Sequence, residues 1–78
     1  MEILGGSMKD VDKLIVIAQT YSYIKKKPFS SNQLYRFINE CNFKFHSEFN
    51  PKHIGIILSR NKKFKKIGKT TNIRYEAI

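Results

Sequence analysis

From Asp10 to about Lys26 the apolar residues return at helical spacing. Val11, Leu14, Ile15, Ala18, Tyr21 and Ile24 follow the i, i+3, i+4, i+7 rule, and Ile17 widens the same arc. Asp10 and Asp12 open this segment and Lys25, Lys26 and Lys27 close it, which matches the helix dipole. Pro28 stops it. Val16 and Tyr23 fall on the opposite side, seven residues apart, with Gln19 and Thr20 between them. They are either two tolerated surface residues or a face for self-association or for a partner.

The next segment announces its own start. Ser30 and Gln33 have capping-box spacing, and Phe29 and Leu34 have the spacing of a hydrophobic staple. A second helix is predicted from about Ser31 to Cys41, burying Leu34, Phe37, Ile38 and Cys41 and turning Tyr35 and Arg36 outward. Asn42 to Phe49 is a connector with Phe43, Phe45 and Phe49 interspersed, long enough for one extended stretch and too short for a hairpin. Asn50 is then a good N-cap, Pro51 suits the first helical position, and Phe49 with Ile54 repeats the staple. A third helix is predicted from about Pro51 to Asn61. It buries Ile54, Ile57 and Leu58 and presents Lys52, His53, Ile56, Ser59, Arg60 and Lys63 on its other face.

After Phe64 the helical period is lost. Lys65 to Lys69 and Asn72 to Ala77 read as two short strands around Thr70 and Thr71, with Gly68 and Asn72 as turn residues. In the second strand Ile73, Tyr75 and Ala77 alternate with Asn72, Arg74 and Glu76, so one side packs and the other meets solvent. The fold class is therefore α+β: three helices, then a hairpin, without internal repeats.

That order resembles the winged helix-turn-helix family of DNA-binding domains over about residues 9–78. The resemblance is carried by Ser30 to Tyr35 opening the second helix, by Asn50 to Arg60 as the recognition helix, and by the terminal hairpin as the wing. One departure is the connector of about eight residues, where the family commonly has a turn of three or four. In this it is more similar to the winged domains appended to phage-type replicative primase-helicases and to small archaeal or viral regulators.

Charge adds an independent argument. Fifteen Lys and Arg against six Asp and Glu give +9. Residues 1–40 hold six bases and four acids, or +2, and residues 41–78 hold nine and two, or +7. Twelve of the fifteen cations are lysine, as AT-rich coding would produce, but coding bias does not explain the shortage of acids beside them. A localised basic surface suits a polyanion, either nucleic acid or an anionic membrane, with double-stranded DNA foremost. A helix enters the major groove, where Lys52, His53, Ile56, Ser59 and Arg60 would be available. Arg60 or Lys52 would pair with guanine, and Ile56 would meet a thymine methyl unless it is half-buried under the wing. Lys62, Lys63, Lys65, Lys66, Lys69 and Arg74 would follow phosphates, positioning the protein without reading sequence. The rival readings are protein–protein contact with an acidic partner, and RNA.

Other classes fit poorly. At 78 residues there is room for one small core and no deep cleft between lobes. The chain shows no Gly-rich phosphate loop, no His-Glu-x-x-His and no triad spacing, and its acids are scattered, so no catalytic residue, metal or cofactor is expected. Cys41, His46 and His53 are too dispersed for a zinc site, and lone Cys41 excludes an internal disulfide. The longest apolar run, Leu14 to Ala18, spans no membrane, and Glu2 does not suit a signal peptide, so the expected setting is intracellular. Residues 1–8, with Gly5-Gly6-Ser7 before Met8, read as an added leader or a flexible arm. Whether the module works as a homodimer or within a larger protein is left open by the residues.

Overall fold

The computed structural model describes residues 9–68 and 72–78. The order is α1 (Asp10–Lys25), α2 (Ser31–Glu40), α3 (Pro51–Arg60), β1 (Phe64–Ile67) and β2 (Arg74–Ala77). The two strands form an antiparallel hairpin in which Phe64 faces Ala77 and Lys66 faces Tyr75. This is a small α+β domain, compatible with a winged-helix layout. Residues 1–8, expected to be an added leader or a flexible arm, and Lys69, Thr70 and Thr71, expected between the strands, lie outside the described residues.

Three of the helix ends have a local cause. Lys26 adopts a left-handed conformation, with φ 57°, and its N–H donates to the Ser22 carbonyl, so α1 ends at Lys25, three residues before Pro28. The α2 capping box forms as its spacing predicts: Ser30 Oγ accepts from the Gln33 amide at 3.2 Å, and Gln33 Oε1 accepts from the Ser30 amide at 2.9 Å. At the other end Asn42 is left-handed, with φ 58°, while its N–H reaches Asn39 O and the Phe43 N–H reaches Ile38 O. That pair of bonds is a Schellman motif. It swings Phe43 back over Phe37, ring centroids 6.0 Å apart. Cys41, expected in the core, is consequently exposed, because the chain leaves the helix at that residue.

The core is assembled around Phe29, which is fully buried with Leu14, Ala18, Leu34 and Ile54. Its ring meets Tyr21 edge-on at 5.2 Å and Phe64 edge-on at 6.4 Å. Its backbone exchanges two hydrogen bonds with Tyr75, N–H to O at 2.9 Å and 2.7 Å, an isolated antiparallel bridge. β2 is therefore flanked on both sides, by β1 and by Phe29. The Ala77 amide continues this pattern by donating to Ser22 Oγ at 3.0 Å, which explains a buried serine on α1. Burial pushes the Tyr21 hydroxyl above its usual pKa, with Glu40 adding to the shift.

Two apolar residues of α1 depart from expectation. The helical period puts Val11 and Ile24 on its buried arc, but they are 45% and 61% exposed. The packed length of α1 runs from Leu14 to Ser22, and both residues lie beyond it, one turn too early and one too late. Phe37 and Ile57, also assigned to the core, are half-buried at its margin. The connector holds no strand.

Gly68 is required where it stands. Its φ is +96°, and an added Cβ would fall 2.2 Å from the Asn72 carbonyl oxygen.

If Phe29 is the hub, Phe29→Ala should cost about 3–5 kcal/mol and leave a domain of this size largely unfolded. Ser30→Ala should cost about 1 kcal/mol. Urea unfolding followed by circular dichroism separates the two; equal losses would mean that the hairpin is held without that ring.

Candidate functional site

The outward face of α3 is framed by its own start. Asn50 Oδ1 accepts from the His53 amide at 2.8 Å, Pro51 occupies the first turn, and Ile54 and Leu58 anchor the inner side. Lys52, His53, Ile56, Ser59 and Arg60 are all exposed on the outer side, as their spacing predicts. Ile56 is 43% exposed, so the hairpin does not cover it.

These residues do not form one uniform surface. Lys52, Gly55 and Ile56 line an open groove of about 630 Å³ whose other walls are Ser30, Ser31 and Asn32 at the start of α2 and Asn72 to Tyr75 of the hairpin. Arg60 lies on the other flank, where it borders a smaller hollow with Val11, Ile57 and Asn61. His53 stacks beside Phe49 with centroids 5.3 Å apart. Ser59 is partly spoken for: its hydroxyl is 3.0 Å from the Tyr75 hydroxyl, which also donates to the Gly55 carbonyl at 3.2 Å. Buried Tyr75 thus fixes the angle between hairpin and helix.

The hairpin cations are also sorted by the sheet. Side chains alternate along a strand, so Lys66 shares a face with its neighbour Tyr75, and Lys65 shares the other face with Glu76. Lys65 therefore sits opposite a carboxylate, and Lys66 does not. Lys62 and Lys63 are exposed in the turn between α3 and β1. Arg74 reaches across the groove wall: its Nη1 donates to Gln33 Oε1 at 3.2 Å, the same oxygen that closes the capping box. Among the groove's lining residues there are two cations, Lys52 and Arg74, and no carboxylate. Lys69 is outside the described residues.

Sequence reasoning missed five contributors. Ser31 and Asn32 lie in the first turn of a capped helix, where amides have no intrahelical acceptor, and that position was a usable signal. Asn72 was read only as a turn former. Asp10 was read as a dipole residue, yet its carboxylate accepts from the His46 amide at 3.0 Å and the Ser47 amide at 2.7 Å. Lys13 adds a bond to the Lys44 carbonyl and sits 5.3 Å from the Phe45 ring centre. The first turn of α1 in this way holds the long connector and sets where α3 begins.

Among the described residues, no group of three His, Cys, Asp or Glu is placed to hold a metal ion, and no helix is long and apolar enough to cross a membrane. No family model, curated protein or solved structure matches this chain.

The amides, that of His46 foremost, hold Asp10 below its usual pKa of about 3.8, against partial desolvation. A depressed carboxylate stabilises the fold above its unfolded pKa and ceases to do so as pH falls through the folded value. Asp10→Asn should accordingly be less stable than wild type at pH 7, with the gap closing below about pH 4. Melting temperatures of both proteins across that range test this; a gap independent of pH would place the role of Asp10 elsewhere.

Proposed function

We propose that this domain is a non-catalytic winged-helix module that binds double-stranded DNA, acting as a transcriptional regulator or as an accessory part of a replication or mobile-element protein. In this reading α3 lies in the major groove, and the hairpin and the start of α2 follow the backbone on either side. The observation that carries it is the groove beside α3, bordered by Lys52 and Arg74 with no carboxylate in its lining. An electropositive trough against an exposed helix suits a phosphate strand and the base edges next to it.

Roles follow from position. Lys52 and Ile56 stand where the helix meets the groove, so they are the candidates for base edges, a lysine for guanine acceptors and an aliphatic for the thymine methyl. Arg74, Lys66, Lys62 and Lys63 act on phosphates, with Lys69 an additional candidate. Arg60 and His53, on the far flank, would meet the opposite backbone. Ser59 contributes chiefly by holding Tyr75.

With ~4–6 phosphates neutralised, the slope of log K against log salt should be about −4 to −5. Titration of duplex DNA, single-stranded DNA and RNA at several salt concentrations tests this. A flat response on the duplex, or equal affinity for all three, would overturn the reading.

Lys52→Ala should cost roughly 1–3 kcal/mol on a preferred site and less elsewhere. Lys66→Ala should weaken every sequence alike and flatten the salt slope by about one unit. Should the two variants behave identically, Lys52 is a phosphate contact and base reading lies elsewhere on α3.

A further inference from the structure

We infer that the outer face of α1 is an antiparallel two-fold seam that joins this chain to a second copy of itself. This is independent of the nucleic-acid reading. Five residues carry it: Asp12, Val16, Gln19, Tyr23 and Lys26, spaced four, three, four and three apart. At 100° per residue the first four, all within α1, stay within an arc of about 60°, and Lys26, the left-handed residue just after α1, lines one hollow with Gln19 and Tyr23. That spacing is the seam of paired helices. The core residues Leu14 and Ala18 lie on the opposite side, fully buried. Val16 is 48% exposed and Tyr23 81%, while Gln19 between them is half-buried beside the end of β2.

The stripe is chemically self-complementary. Measured from Gln19, Asp12 lies seven residues before and Lys26 seven after, while Val16 lies three before and Tyr23 four after. A two-fold axis through Gln19, perpendicular to the helix, therefore brings Asp12 opposite Lys26 of the second copy and Val16 opposite Tyr23 of the second copy. Each pairing occurs twice, and Gln19 meets its counterpart, where two amides donate to and accept from each other. A parallel arrangement would set Asp12 against Asp12 and Lys26 against Lys26, so charge selects the antiparallel one.

At +9 two copies repel each other, so they can meet only where the charge is balanced, and the excess lies in residues 41–78, outside α1. On this stripe acid and base balance, and Glu76 lines an adjoining open hollow with Tyr23, Lys26 and Ile78. The groove beside α3 takes none of its lining from α1, so pairing through α1 leaves it open. From Asp12 to Lys26 the seam is about 21 Å long. Such a contact is at the small end of specific interfaces, and association should be weak and concentration-dependent.

Sedimentation without nucleic acid, up to about 1 mM protein, tests the seam. Wild type should move from monomer towards dimer, and Asp12→Lys or Lys26→Asp alone should weaken association about tenfold. The double reversal, Asp12→Lys with Lys26→Asp, should restore it. The two positions are about 21 Å apart along one helix, so rescue can only come through a second copy. Aspartate tolerates the left-handed conformation at position 26, and circular dichroism of each variant separates lost pairing from lost folding. As a second readout, Gln19→Cys in a Cys41→Ser background should form a disulfide-linked dimer under mild oxidation, because the axis passes through position 19. Monomeric wild type throughout, single reversals that sediment like wild type, a double reversal without recovery, or an uncrosslinked Gln19→Cys protein would each overturn the seam.

Discussion

The exchange of two backbone hydrogen bonds between Phe29 and Tyr75, with the Phe29 ring buried beneath it, is the constraint on which the rest of the domain depends. A two-stranded hairpin is marginal alone in water. Here its second strand is completed on the far side by one residue from the loop between α1 and α2. The same residue opens the staple that starts α2 and meets α1 through Tyr21. All three directions of packing therefore converge on a single side chain, and Tyr75 passes the restraint on to α3 through its hydroxyl.

The groove follows from that geometry. Because Tyr75 holds the hairpin at one edge of α3, and the capping box holds the start of α2 at another, a trough remains between them that no side chain fills. Gln33 belongs to both systems: one oxygen closes the cap and receives Arg74. A cation near the groove is thus anchored by the device that begins the helix. The long connector is no loose excursion either, since Asp10 and Lys13 secure it to α1 just ahead of the α3 cap.

Much of this was legible in the residues because it is local. A capping box needs two residues three apart, and an N-cap with proline behind it needs two in a row, so α2 and α3 begin where their spacing says. Exposure of Lys52, His53, Ile56 and Arg60 follows from helical period once Ile54 and Leu58 are assigned inward. The misassignments of Cys41, Val11 and Ile24 share one cause. Periodicity tells which side of a helix is apolar but not how far along its length other elements cover it.

Three helices, a closing hairpin, the capped starts of α2 and α3 and a basic C-terminal half are written in the order of residues, since each rests on neighbours within a turn or two of chain. Tertiary structure alone decided that Phe29 would serve as a strand, that Ser22 would be buried against Ala77, and that Asp10 would bind a loop thirty-six residues away. It also decided that Lys65 and Lys66 would part to opposite faces and that Arg60 would lie outside the groove. Those outcomes depend on unpaired backbone groups and polar side chains finding acceptors across the core. No local period encodes such pairings, because they are chosen only when the helices and strands come together.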